Sequence, residues 1–162
     1  MAQMSDLASI EAMWAAFEAA HPELAEGAEY SAWHFCDNKS DADELAELVV
    51  AGVKRATAGA LWSYEDEDEA LPQVGDCSVI TDWDGNARCI IRTTAVEIVP
   101  FEAVSEEFAA IEGEGDGSLE YWRRAHWAAF TREFAGTDHA VSSSMPVVCE
   151  WFDLVFAPEE CA

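Results

Sequence analysis

Gly52-Val53-Lys54-Arg55-Ala56-Thr57 is the stretch from which the fold is predicted. The glycine closes an apolar helical pattern over residues 40–53, where it is typical of a residue that stops a helix. A strand-like run over residues 56–62 follows at once. Two adjacent cations therefore stand at a helix-to-strand corner, in a chain with eight Lys plus Arg and 33 Asp plus Glu.

Apolar periodicity outward from this corner predicts a mixed fold. Spacing of three and four residues predicts helices, and alternating or continuous apolar runs predict strands. The predicted helices cover residues 5–20, 40–53, 101–111 and 119–134, and the predicted strands cover 31–36, 56–62, 77–81, 87–99 and 146–156. A helical bundle has no place for so many strands, so we expect an α+β fold with a curved sheet or barrel and helices packed around it.

Two local details go with this prediction. Ser40 and Asp43 resemble a capping box at the start of the second helix. The acidic run over residues 64–69 is expected to be a solvated loop, because like charges repel each other.

The formal net charge of −25 limits the classes of partner. Binding duplex DNA or RNA by neutralising many phosphates needs a basic surface, which eight cations do not readily build. A small neutral ligand or a nucleoside avoids that repulsion. Adaptation to high salt is an alternative explanation of the acidity, because molar salt shortens the Debye length to about 3 Å.

Other features of composition point to a cytoplasmic location. The five cysteines are scattered, odd in number and never spaced as C-x-x-C, which is typical of a reducing compartment. The sequence contains no run of about twenty apolar residues, so no membrane span is predicted. We expect no cofactor and no metal, because His34, Cys36 and His139 lack partners at ligand spacing.

Lys54 and Thr57 are the first candidate catalytic pair. A desolvated lysine can lose its proton and activate a nearby hydroxyl, and a charged one can stabilise an anion. The acidic surroundings favour the charged form. The structural alternative is a cation that complements a helix C-terminus, followed by an ordinary strand threonine.

The glycine-rich acidic stretch 112–118 is the second candidate. Its three glycines permit positive φ and a close backbone approach to a ligand. Crowding among Glu112, Glu114 and Asp116 is expected to raise one pKa and supply a general acid or base. The alternative is a flexible turn that ends in Ser118 as a helix N-cap.

A cluster of aromatic and basic residues opens the helix 119–134. Trp122 can stack on a base and Arg123 can contact a phosphate, with His126 one turn further along. The alternative places Trp122 and His126 in the core and leaves the arginines in solvent.

Taken together, these motifs resemble those of the ASCH-domain family, in its larger bacterial type. The matching pieces run in family order over residues from about 30 to 156: Trp33-His34-Phe35, residues 43–49, the G-x-K-x-x-T stretch 52–57, residues 71–76, the E-G-E-G-D loop 112–116, the helix start 118–126 and Val147-Val148-Cys149-Glu150. The G-x-K-x-x-T pattern alone is weak, but the combination is fairly specific.

The resemblance implies a PUA-like curved β-barrel of about five to six strands with flanking helices. It divides the chain into a helical extension over residues 1–29, packed on the domain, and an ASCH domain over residues 30–158. It also implies a cleft associated with RNA or with modified nucleosides. Small relatives hydrolyse N4-acetylcytidine to cytidine and acetate, and some larger relatives are reported to cleave RNA.

Carried over to this chain, the essential lysine and threonine of the small hydrolases fall on Lys54 and Thr57. Their glutamate falls on Glu112 or Glu114, and the alignment leaves both open. The leading hypothesis is therefore hydrolysis of an acylated pyrimidine nucleoside. Thr57 attacks the amide or orients water, Lys54 takes the proton or stabilises the oxyanion, and a glutamate protonates the leaving amine.

Further residues are assigned to ligand binding in this hypothesis. Trp33 or Trp122 stacks on the base, and Arg55, Asp116, Ser118, Arg123 and His126 are candidates for further contacts. The expected partner is a modified nucleoside or single-stranded RNA, with the oligomeric state open.

Two other functions remain open at this stage. An RNA-binding or RNA-cleaving module would use Lys54, Arg55, Arg123 and Arg124 as phosphate contacts. A non-catalytic sensor would bind a nucleotide-like ligand in the same cleft without turnover.

Overall fold

The computed structural model describes residues 2–158, and the side chains of residues 7–158. Within these residues, five strands form one sheet, namely β1 (Tyr30–Trp33), β2 (Ala56–Ala60), β3 (Cys77–Thr81), β4 (Ala87–Pro100) and β5 (Pro146–Phe156). The same part of the chain contains six α-helices, namely α1 (Ala2–Ala20), α2 (Pro22–Ala25), α3 (Lys39–Val50), α4 (Leu61–Asp66), α5 (Glu106–Glu112) and α6 (Leu119–Glu133). A 3₁₀ turn covers Phe101–Ala103. The predicted α+β fold is confirmed.

The strands lie in the order β1-β3-β4-β5-β2. β1 runs parallel to β3, and the other neighbours are antiparallel. The long strand β4 pairs with both β3 and β5, and its register against β5 shifts between Ile90 and Ile91 and again between Thr93 and Ala95. Such bulges bend a strand, so they curve the sheet. Within residues 2–158, β1 and β2 form the two edges, so this curved sheet is open.

Three groups of buried apolar side chains attach the helices to the sheet. Phe108 and Trp122 belong to a cluster that joins α5 and α6 to β2 and β5. Leu45 of α3 packs against β3, β4 and β5. Trp14 and Phe17 of α1 pack against β3 and β4. Full burial of one such large side chain contributes about 1.5–3 kcal/mol. None of the helices within residues 2–158 is both long and apolar enough to cross a membrane.

One predicted local detail is wrong and another holds only in part. Asn38, and not Ser40, caps α3, because its side-chain oxygen accepts a hydrogen bond from the Asp41 backbone N–H. Of the acidic run, residues 64–66 form the end of α4, and residues 67–69 form the exposed loop that was predicted. In α4, half-buried Trp62 packs edge-on against Phe134 with ring centroids 5.2 Å apart. Tertiary packing of the aromatic side chain here outweighs the repulsion among solvated acids.

The corner after α3 is built by hydrogen bonds that only a glycine permits easily. Gly52 has φ of +79°, a left-handed conformation that other residues adopt at a cost. Its N–H donates to the carbonyl of Val49 at 3.0 Å, and the N–H of Val53 donates to the carbonyl of Leu48 at 2.9 Å. These two bonds form a Schellman motif, as the sequence predicted for Gly52 in its role as helix stop.

The same corner is pressed against the end of α5. The N–H of Arg55 donates to the carbonyl of Ile111 at 2.9 Å. Gly113 ends α5 with φ of +71°, and a Cβ atom built on it would lie 2.6 Å from the carbonyl oxygen of Val53. A side chain at position 113 would therefore push the two segments apart.

We expect Gly113→Ala to lower the free energy of unfolding by about 2–4 kcal/mol. Left-handed backbone at a non-glycine residue contributes about 1 kcal/mol, and a clash with rigid backbone adds about 1–3 kcal/mol. Urea unfolding measures the loss. Gly136→Ala is the matched control, because Gly136 has φ of +79° and nothing within 4 Å of its Cβ position. Equal losses in the two variants would contradict a close approach at Gly113.

Candidate functional site

Lys54 lies at the centre of a buried polar cluster. Only 1% of the surface of Lys54 is exposed to solvent. Its Nζ donates to the carbonyl of Ala56 at 2.8 Å, to Glu112 Oε2 at 3.1 Å and to Glu114 Oε2 at 2.7 Å. An ammonium group has three N–H donors. All three are therefore engaged within the protein.

Glu112 is held from a second side by α6. Trp122 Nε1 donates to Glu112 Oε1 at 2.6 Å, and His126 Nε2 lies 3.4 Å from Glu112 Oε2. His126 Nδ1 lies 2.9 Å from the Trp122 carbonyl, and because a carbonyl only accepts, Nδ1 carries a proton. Nε2 then donates to Glu112 only when the imidazole carries a second proton.

Opposite charges in this cluster separate the pKa values of its two carboxyl groups. Burial acts to raise the pKa of Glu112, but Lys54 and then His126 outweigh it and hold that pKa well below its usual value. Burial, together with the hydrogen bond that protonated Glu114 donates to Glu112, raises the pKa of Glu114 to about 7. Glu112 is thus a permanent anion, whereas Glu114 gains or loses its proton near neutrality.

Opposite charges favour the protonated forms of the two basic groups in the cluster despite their burial. Burial alone would lower the pKa of Lys54, but the charges of Glu112 and Glu114 more than compensate, and the pKa lies above its ordinary value. His126 behaves in the same way, with Glu112 as the main opposing charge, and its pKa is raised. The structure therefore favours an ammonium ion at Lys54 at neutral pH.

Local sequence explains how these side chains meet. Lys54 follows the Gly52 corner, Glu112 is the last residue of α5, and Glu114 follows the left-handed Gly113. Trp122 and His126 are one turn apart on α6, and their rings stack with centroids 4.1 Å apart. The cluster is therefore formed where α3, α5, α6 and β2 converge.

An open cleft of about 710 Å³ lies beside this cluster. Thr57, Glu114 and His126 line it, together with Trp33 of β1. Side chains alternate between the two faces of a strand. Ala56 and Ala60 of β2 are accordingly buried in the helix-side core, whereas Thr57 is half-buried and reaches the cleft.

The remaining predicted site residues lie outside the cleft lining. Exposed Arg55 pairs with Asp153, with Nη2 2.9 Å from Oδ1. Asp116 accepts from the backbone N–H of Ser118, and Ser118 is the N-cap of α6. Arg123 is exposed, and its Nη2 lies 3.4 Å from the carbonyl oxygen of Glu102.

Two assigned roles need correction. Trp122 is 2% exposed and its ring is covered by core side chains, so it orients Glu112 and does not stack on a base. The glycines of the acidic loop were expected to let a ligand approach the backbone, but two of them are approached closely by other residues of the protein. Gly113 meets the backbone of Val53, and a Cβ at Gly115 would lie 2.4 Å from the ring of Tyr121.

Sequence reasoning gave no role to Glu150 in β5. It is 6% exposed, lines the cleft and accepts a hydrogen bond from Thr93 Oγ1 at 2.6 Å. Its signal was present in the sequence, because a glutamate within an apolar strand that is buried on both faces places a charge where none is expected.

The cluster contains side chains that could bind a metal ion, but the Lys54 ammonium already occupies two of the carboxyl groups. One ligand atom from each of Glu112, Glu114 and His126 lies within 4.8 Å of the others. The ammonium of Lys54 already contacts both carboxyl groups through Oε2. A divalent ion bound there would face that positive charge at close range, so the cluster carries its own cation.

Comparison with protein families identifies the domain. The ASCH domain model matches residues 31–156. The chain belongs to the ASCH-domain family. This confirms the resemblance found in the motifs, and α1 and α2 lie ahead of the matched stretch.

Two solved structures of similar proteins agree with that assignment. An ASCH domain from Lactobacillus crispatus JV V101 has 36% sequence identity and a TM-score of 0.83, with 93% of this chain and 94% of that chain covered. Protein EF3133 from Enterococcus faecalis V583 has 34% identity and a TM-score of 0.81, covering 93% and 90%. The PUA-like architecture expected for an ASCH domain is thereby confirmed. The comparison with curated proteins gives no significant match.

Because Lys54 is enclosed by carboxylates in this ASCH domain, we expect Lys54→Met to lower the free energy of unfolding by about 3–5 kcal/mol at pH 7. Removing one partner leaves an uncompensated buried charge on Glu112. In Lys54→Met/Glu112→Gln we expect much of the loss to be recovered, since neither charge remains. Urea unfolding of both single variants and the double variant measures this coupling. Losses that simply add would contradict a direct buried ion pair.

Proposed function

We propose that the protein is a hydrolase that removes the acyl group from an N4-acylated cytidine nucleoside, with N4-acetylcytidine as the substrate to test. One observation carries the proposal. Glu114, whose pKa is about 7, lies at a cleft that also exposes the Thr57 hydroxyl, and it is hydrogen-bonded to a charged lysine. A group that exchanges its proton near neutral pH is what general acid and base catalysis requires.

In the proposed reaction Glu114 handles the proton and Thr57 handles the acyl group. Thr57 Oγ attacks the amide carbonyl carbon while the Glu114 carboxylate takes the hydroxyl proton. The carbon–nitrogen bond then breaks, and Glu114 returns that proton to the departing N4 of cytidine. Water then attacks the acyl ester on Thr57 while the Glu114 carboxylate takes a proton from it, and as the acyl–oxygen bond breaks Glu114 passes that proton to Thr57 Oγ and the acid is released.

Lys54 acts in this scheme through its charge and its fixed position. Its raised pKa and its three engaged donors argue against the role of general base. When Glu114 becomes protonated, one of the two carboxylates around Lys54 is neutralised. The lysine charge then favours the oxyanion that forms on the substrate at the same moment.

The charge of the cleft supports a nucleoside over an RNA strand. Within residues 7–158, no Lys or Arg lines the cleft, and its charged lining consists of acids and histidines. Lys54 is buried, and exposed Arg55 pairs with Asp153 outside the cleft lining, so neither supplies a phosphate contact within the cleft. A neutral nucleoside enters such a cleft without the repulsion that a polyphosphate meets.

Turnover of N4-acetylcytidine by the purified protein tests the proposal. We expect Thr57→Val, which keeps the side-chain shape and removes the hydroxyl, to lower kcat/KM by at least about a thousandfold. Thr94→Val is the matched control, since Thr94 is an exposed strand residue outside the cleft lining, and we expect it to retain turnover. An inactive parent protein, or an unaffected Thr57→Val, would contradict the proposal. Binding without turnover would favour a sensor, and cleavage of single-stranded RNA would favour a ribonuclease.

The pH dependence of turnover gives a second test. We expect kcat/KM of the parent to rise as the pH increases through about 7, because the carboxylate form of Glu114 is the base. Glu114→Gln should lower kcat/KM by about 10²–10⁴-fold, and its residual rate should lack this limb. A parent rate that stays constant or falls over the same range would exclude Glu114 as the base.

A further inference from the structure

We propose that Glu150 is the residue that reads the base: its carboxylate accepts a hydrogen bond from the exocyclic N–H of an aminopyrimidine nucleoside. The inference rests on the proposed function for the class of ligand. It adds a specificity residue on β5, the strand that pairs with β2 at Thr57.

Glu150 is a buried acid without a cation. It is 6% exposed, and Thr93 Oγ1, at 2.6 Å from Oε2, is its hydrogen-bond partner. Within residues 7–158 it forms no ion pair, unlike Glu112 and Glu114, which share Lys54. A carboxylate offers about four acceptor sites. Most of its acceptor capacity therefore faces the cleft unused.

A buried carboxylate without a cation lowers the free energy of unfolding, so stability alone does not explain Glu150. A buried charge is destabilising unless it is paired, and burial accordingly raises the pKa of Glu150. The negative charge of Asp76 also raises this pKa. An amide or an apolar side chain would fill the same space without this penalty. A ligand that brings an N–H donor supplies the missing partner.

The register of the sheet places Glu150 beside the reacting group. Thr57 and Glu150 are directly opposite each other on the antiparallel strands β2 and β5. Directly opposite residues have Cβ atoms about 4.5–5.5 Å apart, on the same face. Both residues line the cleft. A ligand atom within reach of Thr57 Oγ is therefore close to the Glu150 carboxyl group.

This distance suits an N4-acylated cytidine. The carbonyl carbon that Thr57 attacks is bonded directly to N4, and N4 carries the hydrogen that Glu150 accepts. Acidic side chains are suited to accepting a hydrogen bond from N4 of cytosine. The N–H remains after the acyl group leaves, so the same contact holds the product cytidine.

Calorimetric titration with two nucleosides tests the assignment. Cytidine carries N4–H donors, whereas N4,N4-dimethylcytidine carries none. We expect the parent protein to prefer cytidine by about 10- to 100-fold, as one hydrogen bond to a charged acceptor implies. Glu150→Met removes the acceptor and should reduce the preference to within about threefold. Glu150→Gln, which keeps one neutral acceptor, should fall between these values.

Two controls separate recognition from other effects. Glu69→Gln removes a charge from the exposed rim of the same cleft and should keep the parent's preference. Thermal unfolding should show Glu150→Met and Glu150→Gln to be at least as stable as the parent, because each removes a buried charge without a cation. A structural role for Glu150 would give lower stability together with an unchanged preference.

Each outcome decides one assignment. A preference that persists in Glu150→Met would come from the bulk of the methyl groups, and it would overturn the role of Glu150. Failure of the parent to bind cytidine would overturn it as well. If the parent prefers cytidine through Glu150 but does not hydrolyse N4-acetylcytidine, the inference stands and the proposed reaction fails. If the protein hydrolyses N4-acetylcytidine but its preference for cytidine does not depend on Glu150, the proposed reaction stands and the inference about Glu150 fails.

Discussion

The structure around the candidate site depends on one buried ammonium group. Lys54 Nζ is enclosed by the carbonyl of Ala56 and by the carboxyl groups of Glu112 and Glu114. An unpaired buried charge is strongly destabilising, so this arrangement requires that the corner after α3 and the end of α5 stay together. The backbone bond from Arg55 N–H to the Ile111 carbonyl and the absence of a side chain on Gly113 make that contact close enough.

The same contact gives the two glutamates different chemistry. Glu112 has Lys54, Trp122 and His126 around it and stays ionised, whereas Glu114 is more exposed and titrates near neutrality. One cation shared by two acids thus produces a fixed anion and an exchangeable proton. Both carboxyl groups line the cleft, and the one that changes charge is the more accessible to a ligand.

Much of this architecture was readable in the sequence. The helix stop at Gly52 and the positions of the five strands along the chain followed from periodicity and local turn chemistry. The G-x-K-x-x-T and E-G-E-G-D motifs indicated Lys54, Thr57, Glu112 and Glu114. What sequence could not show depends on tertiary contacts. The sequence predicted that Trp122 could stack on a base, but its side chain packs in the core and donates a hydrogen bond to Glu112. Glu150 was passed over because only the register of β2 and β5 places it opposite Thr57.

The central claim is that Glu114, hydrogen-bonded to Lys54, exchanges its proton near neutral pH. Carbon-13 NMR titration of the glutamate carboxyl groups measures this directly, with the Glu114 signal assigned from its loss in Glu114→Gln. The expected result is a Glu114 inflection at about pH 7. A Glu114 carboxyl group that titrates at the ordinary glutamate pKa of about 4.3 would contradict the account.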